Sequence, residues 1–97
     1  MIKMKDILTF SLFTVDKQFP SLECDSVKLN VADSVSGKFS GSYGIRKGHA
    51  KAVFSLAEGT TEVYKDGKLI FSAHTSDGFA MVEDNEVRVT ADFAEEK

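Results

Sequence analysis

The sequence predicts an all-β fold, an antiparallel β-sandwich of about eight to ten short strands. Three observations lead to this prediction. Apolar residues alternate with polar ones along much of the chain, turn-forming residues separate the alternating runs, and no run has convincing helical periodicity. The chain has 97 residues, so residues 1–97 are expected to form a single domain.

The first half contains three alternating runs. In the first of them, Leu8, Phe10 and Leu12 share one face of the predicted strand. At Phe13 and Val15 the apolar phase shifts by one residue, which predicts a bulge or a position covered on both faces. Two further strands are predicted within residues 27–31 and residues 52–56.

The second half is expected to form two β-hairpins. Asp66 and Gly67 lie between two β-prone runs, and this dipeptide accepts the positive φ angles of a two-residue turn. The group Glu83-Asp84-Asn85 predicts the second turn. After it, Val87, Val89 and Ala91 are expected to face the core.

Two segments depart from the strand pattern. Residues 32–43 are rich in serine and glycine and are either a long exposed loop or a polar hairpin, a length at which binding surfaces are common. Residues 91–97 favour helix and are interpreted as the start of a truncated or absent helical tail, too short to be stable by itself.

Charge and composition exclude several classes of function. The net charge is −3 and basic and acidic residues alternate, so no nucleic-acid partner is expected. No segment approaches the length of an apolar membrane span, and the N-terminus lacks a signal peptide's unbroken apolar stretch, so no direct membrane insertion is expected. The lone Cys24 fits a reducing compartment.

Residues with catalytic or metal-binding chemistry are few and scattered. His49 and His74 are the only histidines, and neither has metal-ligand spacing to the other or to Cys24. Ser76 precedes Asp77-Gly78, but it lacks the Gly-x-Ser-x-Gly frame of a nucleophile elbow. We therefore expect no catalytic site, no metal and no cofactor in this chain.

One local pattern stands out, the run Gly44-Ile45-Arg46-Lys47-Gly48-His49-Ala50. With its surroundings, the chain resembles the N-terminal β-sandwich of the ATP synthase epsilon subunit. The resemblance is collinear over nearly the whole chain. It includes a G-x-x-G-I-x-x-G-H-A turn at residues 41–50, a G-x-x-x-V-x-x-D-G-K hairpin at residues 59–68 and a V-x-V-x-A-D strand end at residues 87–92. Weaker matches lie at residues 10–16, 25–31 and 76–79.

The sequence departs from the family pattern at several points. Lys47 and Lys51 stand where the family usually has prolines, and Ser42 stands where an acidic residue is common. The loop before Gly41 is longer than in the family, and the family's C-terminal helical hairpin is missing from the sequence.

The resemblance implies a non-catalytic central-stalk subunit that docks on the gamma subunit and on the polar loops of the c-ring. It places the chain at the cytoplasmic face of the bacterial plasma membrane, peripheral through the complex. Because the family's ATPase inhibition and ATP binding belong to the helical hairpin, no inhibition and no nucleotide binding are expected. The implied partner contacts are Ser42, Tyr43, Ile45, Arg46, Gly48 and His49.

Two other classes of function stay open from the sequence. The changed prolines and longer loop fit a stand-alone protein-binding module derived from the epsilon sandwich, and a small hydrolase or metal protein is the third alternative. The neighbouring genes would distinguish the synthase subunit from the module, and metal analysis would test the third.

Overall fold

A computed structural model describes residues 7–33, 35–36 and 38–97. Within these residues the chain forms ten β-strands and no helix. The strands are β1 (Leu8–Phe13), β2 (Leu22–Cys24), β3 (Ser26–Ala32), β4 (Phe39–Arg46), β5 (Ala52–Leu56), β6 (Gly59–Lys65), β7 (Lys68–Thr75), β8 (Gly78–Glu83), β9 (Glu86–Ala91) and β10 (Ala94–Glu96). The all-β prediction is confirmed.

The core is built from the alternation visible in the sequence. Leu8, Phe10 and Leu12 of β1 are all buried, as predicted, and so are Val87 and Val89 of β9. Burial of one such side chain contributes about 1.5–3 kcal/mol, so the alternating residues hold the strands to the core. Other large buried apolar side chains come from β3, β4, β5, β6 and β8, namely Val27, Leu29, Ile45, Leu56, Val63 and Val82.

The strands form one continuous path, β10-β7-β6-β3-β5-β8-β9-β1-β2, with β4 added to the free side of β3. Strands β5 and β6 are consecutive, and both run antiparallel to β3. The pairs are Val31 with Leu56 and Val27 with Val63. The bend between β5 and β6, at Ala57 and Glu58, therefore divides the strands into two layers. The first layer is β4-β3-β6-β7-β10, and the second is β5-β8-β9-β1-β2.

One strand pair differs from the antiparallel prediction. Strand β1 runs parallel to β9, with Phe10 opposite Val87 and Leu12 opposite Val89. Parallel neighbours need a long connection, and here all of β2 to β8 lies between them. Alternation along each strand fixes which face is buried, but it does not fix the direction of a distant neighbour.

Both predicted hairpins form. Asp66 and Gly67 have φ angles of 54° and 75°, the positive values that a type I′ turn requires. The second turn is narrower than the predicted three-residue group. Glu83 pairs with Glu86, and only Asp84 and Asn85, with φ of 51° and 60°, make the turn.

Of the two alternatives predicted at Phe13 and Val15, a bulge or a position covered on both faces, neither is found. Strand β1 ends at Phe13, and Val15 is 85% exposed in the following turn. The hydroxyl of Thr14 accepts a hydrogen bond from the backbone N–H of Lys17 at 3.0 Å, and Thr14 N–H donates to the Lys17 carbonyl at 2.8 Å. These bonds close a turn, so the shift in apolar phase marks the end of a strand.

Of the two structures left open for residues 32–43, the hairpin is found. Strands β3 and β4 pair over seven positions, with a register shift at Val31 and Ala32. In the connection, the carboxylate of Asp33 accepts hydrogen bonds from the N–H groups of Val35 and Ser36. These bonds favour the ionised carboxylate and lower the pKa of Asp33. Ser34 and Gly37 lie outside the described residues.

The C-terminal segment does not begin a helix, contrary to the interpretation of residues 91–97. Ala94–Glu96 forms β10 and pairs with β7, with Ala94 opposite Thr75. The backbone N–H of Ser76 donates to the Phe93 carbonyl at 3.0 Å, which directs the chain along the sheet edge. A sheet partner thus outweighs a helix preference that is weak over a few residues.

Among the described residues, no helix could cross a membrane. The expected absence of a signal peptide depends partly on residues 1–6, which lie outside the described part of the chain.

Candidate functional site

The six residues predicted to contact partners lie on β4 and in the turn that follows it. Because successive residues of a strand point to opposite faces, β4 separates them. Tyr43 and Ile45 point to the inner face, opposite the buried Leu29 and Val27 of β3. Ser42 and Arg46 are exposed on the outer face of the first layer.

Ile45 is a core residue, so its prediction as a partner contact is wrong. Its side chain has no exposed surface and lies opposite Val27, which is also fully buried. The sequence showed an apolar residue between a glycine and two cations and indicated an exposed turn. In the structure, β4 continues to Arg46, and Ile45 takes the inward position that alternation gives it.

Tyr43 and His49 come together with Phe54 of β5, a residue not predicted for the site. The ring centroids are 5.0 Å apart for Tyr43 and Phe54, 5.8 Å for Tyr43 and His49, and 6.1 Å for His49 and Phe54. These separations suit tilted and edge-to-face aromatic contacts. Tyr43 is 43% exposed, so this aromatic cluster (Tyr43, His49 and Phe54) reaches the surface beside the β4–β5 turn.

Hydrogen bonds fix the orientation of the His49 ring. Its Nδ1 lies 2.6 Å from the carbonyl oxygen of Ala50, and a carbonyl only accepts, so Nδ1 carries the proton. In neutral histidine, Nε2 is then the acceptor, and the Tyr43 hydroxyl donates to it at 3.3 Å. Both side chains are therefore held in place and present a preorganised surface.

Gly48 has a structural role in the turn between β4 and β5. Its φ angle is +85°, a conformation that glycine adopts far more easily than other residues. Its backbone N–H donates to the side-chain oxygen of Asn85 at 2.7 Å. Asn85 was not predicted for the site; in the sequence it appears only as a turn residue.

A larger apolar surface lies on the outer face of the second layer. Val53 pairs with Met81, and Phe79 is two residues before Met81 on β8, so the three side chains share that face. They are 63%, 43% and 59% exposed respectively. This outer apolar face (Val53, Phe79 and Met81) went unpredicted, although β5 and β8 have apolar residues in both phases of the alternation.

The outer face of the first layer has a different character. There Lys28 of β3 lies 3.9 Å from the carboxylate of Glu62 on β6, and Lys97 donates to the hydroxyl of Thr60 at 2.9 Å. The first layer thus exposes polar pairs, although its strands β4 and β7 also expose Phe39, Leu69 and Ile70, whereas on the second layer Val53, Phe79 and Met81 share one face. An exposed group of large apolar side chains is typical of a protein-binding face.

Side chains with nucleophilic or acid–base groups have structural partners. The Ser76 hydroxyl oxygen accepts from the N–H groups of Asp92 and Phe93, at 2.9 and 3.2 Å, and its hydrogen is directed to the Asp77 carbonyl. His74 lies 2.9 Å from the exposed carboxylate of Glu58. No group of three or more potential metal ligands exists within the described residues.

Cys24 is buried, with its sulfur 3.6 Å from the carbonyl oxygen of Leu8. Burial, and to a lesser extent the negative charge of Asp25, raise the pKa of the thiol to about 11, against a smaller opposing effect of Lys65. Since the thiolate is the reactive form, this environment suppresses thiol chemistry.

Comparison with known proteins agrees with this geometry. The family model "ATP synthase, Delta/Epsilon chain, beta-sandwich domain" matches residues 7–97. No curated protein sequence matches the chain.

Two solved structures share the fold. A chain of the Euglena gracilis mitochondrial ATP synthase (OSCP/F1/c-ring, rotational state 1) superposes with a TM-score of 0.75 at 23% identity, over 97% of this chain and 56% of its own length. A chain of the Tetrahymena thermophila mitochondrial ATP synthase central stalk and c-ring superposes with a TM-score of 0.72 at 12% identity, over 95% and 68%. The present chain therefore spans little more than half of the Euglena chain. Both structures are mitochondrial, so neither one supports the expected bacterial plasma membrane.

The chain forms a two-layer sandwich, and the family model matches nearly its whole length. Together these two findings assign the chain to a family. This chain belongs to the β-sandwich family of ATP synthase delta/epsilon chains, which are non-catalytic subunits of the enzyme.

Proposed function

We propose that this chain is a non-catalytic central-stalk subunit that couples c-ring rotation to the catalytic head by docking on gamma and on the c-ring. The outer apolar face, together with the family membership, is the observation that carries this proposal. A coupling element must transmit torque without deforming, and a close-packed core provides that rigidity.

The outer apolar face suits gamma, because permanent interfaces are more hydrophobic than transient ones. At the end near the β8–β9 turn it carries charged pairs, with Lys51 3.8 Å from Glu83 and Arg88 2.9 Å from Glu86. An apolar centre with a polar rim is the usual anatomy of a protein interface. We therefore assign gamma to this face, which extends the prediction made from β4 and its turn.

The turn between β4 and β5 suits the polar loops of the c-ring. Arg46 and Lys47 are exposed there, Ser42 lies on the neighbouring outer face, and Tyr43 and His49 form a fixed aromatic surface beside it. Arginine and tyrosine are enriched in interface hot spots. The contribution of Gly48 is its turn conformation, since it has no side chain.

Binding of the purified chain to gamma from the same organism tests the first contact. Met81→Gln is expected to weaken binding at least about tenfold, a loss of about 1.4 kcal/mol. Lys28→Gln introduces the same residue on the opposite layer and should leave binding unchanged. Equal losses from both variants, or no binding by the folded chain, would contradict the assignment and favour the stand-alone module.

Binding of the complex between this chain and gamma to isolated c-rings tests the proposed contact with the c-ring. Arg46→Ala and Tyr43→Ala should each lower c-ring binding while the affinity for gamma is retained. If they lower the affinity for gamma instead, the assignment of the two surfaces is reversed. In this proposal the chain associates with the membrane only through the synthase. None of the residues assigned to gamma or to the c-ring binds a nucleotide.

A further inference from the structure

Strand β4 is an open edge of the first layer. In the described part of the chain it pairs with β3 and with no other strand. Strands β2 and β10, which end the continuous path, have three residues each and carry acidic side chains, Glu23 in one and Glu95 and Glu96 in the other. Strand β4 has eight residues, so it is the long edge.

The direction of the hydrogen-bonding groups on β4 follows from its neighbour β3. The carbonyl of Asn30 accepts from Ala57 N–H at 2.9 Å, on the side of β3 away from β4. Peptide groups alternate in direction along a strand, so Leu29 and Val31 direct theirs towards β4, opposite Tyr43 and Gly41.

The residues of β4 that alternate with Gly41 and Tyr43 therefore point their peptide groups outward. Ser42 and Gly44 direct both N–H and C=O away from β3, towards solvent. Together they offer two donors and two acceptors in the spacing that an added strand would meet.

Beyond the register shift near Ser40, the usual protections of an edge strand are missing from β4. Edge strands are normally shielded by charged residues, proline, short length or coverage by another element. From Phe39 to Ile45 the strand has no charged residue and no proline. Its two glycines, Gly41 and Gly44, have no side chain and have open space where a Cβ would be.

Charges lie only at the ends of this edge, and all of them are positive. Lys38 precedes β4, Arg46 ends it and Lys47 follows it, and all three are exposed. A second copy pairing antiparallel with its Ser42 opposite Ser42 would bring its Arg46 opposite Lys38, and like charges directly opposite are destabilising. The edge is therefore matched to a different chain.

We propose that β4 binds an extended segment of another protein as an additional strand, a segment with an uncharged, β-prone centre and acidic residues at both ends. Backbone hydrogen bonds to Ser42 and Gly44 supply affinity, and the acidic ends pair with the cations at Lys38 and at Arg46-Lys47. On the outer face, a shallow groove lined by Lys28, Ser42, Gly44, Arg46 and Tyr64 receives the side chains of the added strand.

This inference goes beyond the proposed coupling function and does not depend on it. The face assigned to gamma lies on the second layer, whereas β4 is in the first. Any protein that supplies a segment of this chemistry satisfies the inference, whether or not it belongs to the synthase.

A synthetic peptide tests the inference without any synthase subunit. The probe is acetyl-Glu-Asp-Thr-Val-Thr-Val-Thr-Asp-Glu-amide, titrated into the full chain and followed by amide NMR and hydrogen exchange. Saturable binding should slow the exchange of the Ser42 and Gly44 amides, while the Leu29 and Val31 amides, already directed to β4, change little. A peptide with lysine at its acidic positions should bind at least about tenfold more weakly.

A matched pair of variants tests the backbone contact. Gly44→Pro removes one outward N–H but none of the bonds to β3, and it should abolish peptide binding. Gly44→Ala keeps the N–H and should bind like the original chain. Should the proline variant fail to fold, a peptide N-methylated at alternate residues removes the donors from the other partner and should not bind.

Three results would overturn the inference. They are unchanged Ser42 and Gly44 amides at millimolar peptide, equal binding of the acidic and lysine peptides, and undiminished binding of the N-methylated peptide. Since gamma and the c-ring are absent from this test, its failure would leave the proposed function standing. Failure of gamma binding would equally leave this inference intact.

Discussion

The side-chain oxygen of Asn85 accepts a hydrogen bond from the backbone N–H of Gly48, at a distance of 2.7 Å. The backbone carbonyl of Asn85 also accepts from Thr9 N–H at 2.8 Å. One buried turn residue between β8 and β9 thus fastens both the start of β1 and the turn after β4. The position of the surface around His49 therefore depends on a residue from a different hairpin.

Replacing Asn85 with glycine is expected to destabilise the fold by about 1–2 kcal/mol, because glycine keeps the positive φ but loses the acceptor for Gly48. Urea unfolding followed by circular dichroism measures the change. Asp84→Gly is the matched control, since Asp84 is an exposed neighbour with nearly the same φ of 51°. The control should be neutral or slightly stabilising, and equal losses in both variants would show that the Asn85 side chain contributes little.

Gly78→Ala is expected to be severely destabilising, by about 3 kcal/mol or more. A Cβ at this position would lie 2.0 Å from the backbone oxygen of Thr90, so β8 and β9 would have to separate. Gly44→Ala is the control, because a Cβ there meets no atom within 4 Å. Alanine at residue 44 should change the free energy of unfolding by less than about 1 kcal/mol. Similar thermal midpoints for the two variants would refute this account of Gly78.

Cys24 is expected to react with iodoacetamide about a hundredfold more slowly at pH 8 than a thiol with the ordinary pKa of 9.0, since its own pKa is raised to about 11. The rate should rise about tenfold per pH unit as the pH approaches the raised pKa. Mass spectrometry of the intact chain measures the modified fraction, with the urea-unfolded chain as the reactive reference. Equal rates for the folded and unfolded chains would contradict the raised pKa.

The same pKa gives a stability effect with a defined sign. Between about pH 9 and about pH 11 the unfolded chain releases the Cys24 proton while the folded chain keeps it, so the free energy of unfolding falls as the pH rises. Below pH 9 both the folded and the unfolded chain hold the proton, so the stability that Cys24 contributes is fully present. Cys24→Ala should remove this part of the pH dependence, and an unchanged slope in that variant would rule it out.

Ser76→Ala is expected to release β10 from the sheet, because the hydroxyl oxygen is the acceptor for two backbone N–H groups, those of Asp92 and Phe93. The cost should be about 1–3 kcal/mol for leaving these donors without their partner. Hydrogen exchange should increase first at Ala94–Glu96. Ser72→Ala serves as the control. Ser72 lies on β7, the strand that pairs with β10, and its hydroxyl makes no such hydrogen bond among the described contacts, so this variant should leave the exchange at Ala94–Glu96 unchanged.

Much of the fold is encoded locally and was predictable for that reason. The burial of Leu8, Phe10 and Leu12 follows from alternation alone, because a strand has a fixed side-chain period. The Asp66-Gly67 turn follows equally from the φ preferences of its two residues.

The predictions that were wrong concern residues whose structure depends on partners far away in the sequence. Residues 94–96 form a strand only because β7 and Ser76 are beside them, and their own preferences indicate helix. Ile45 was assigned to the surface because the length of β4 was not visible among the glycines. The outer apolar face was missed because two strands far apart in sequence, β5 and β8, create it by pairing.

The parallel pairing of β1 with β9 has a consequence for the synthesis of this protein. Strand β1 cannot pair with β9 until residues 86–91 have followed it from the ribosome. At about 5–20 residues per second, Phe10 and the other apolar side chains of β1 wait for seconds without that neighbour. Completion of the sandwich therefore has to wait for β9, and until then the apolar face of β1 lacks one of its two strand neighbours.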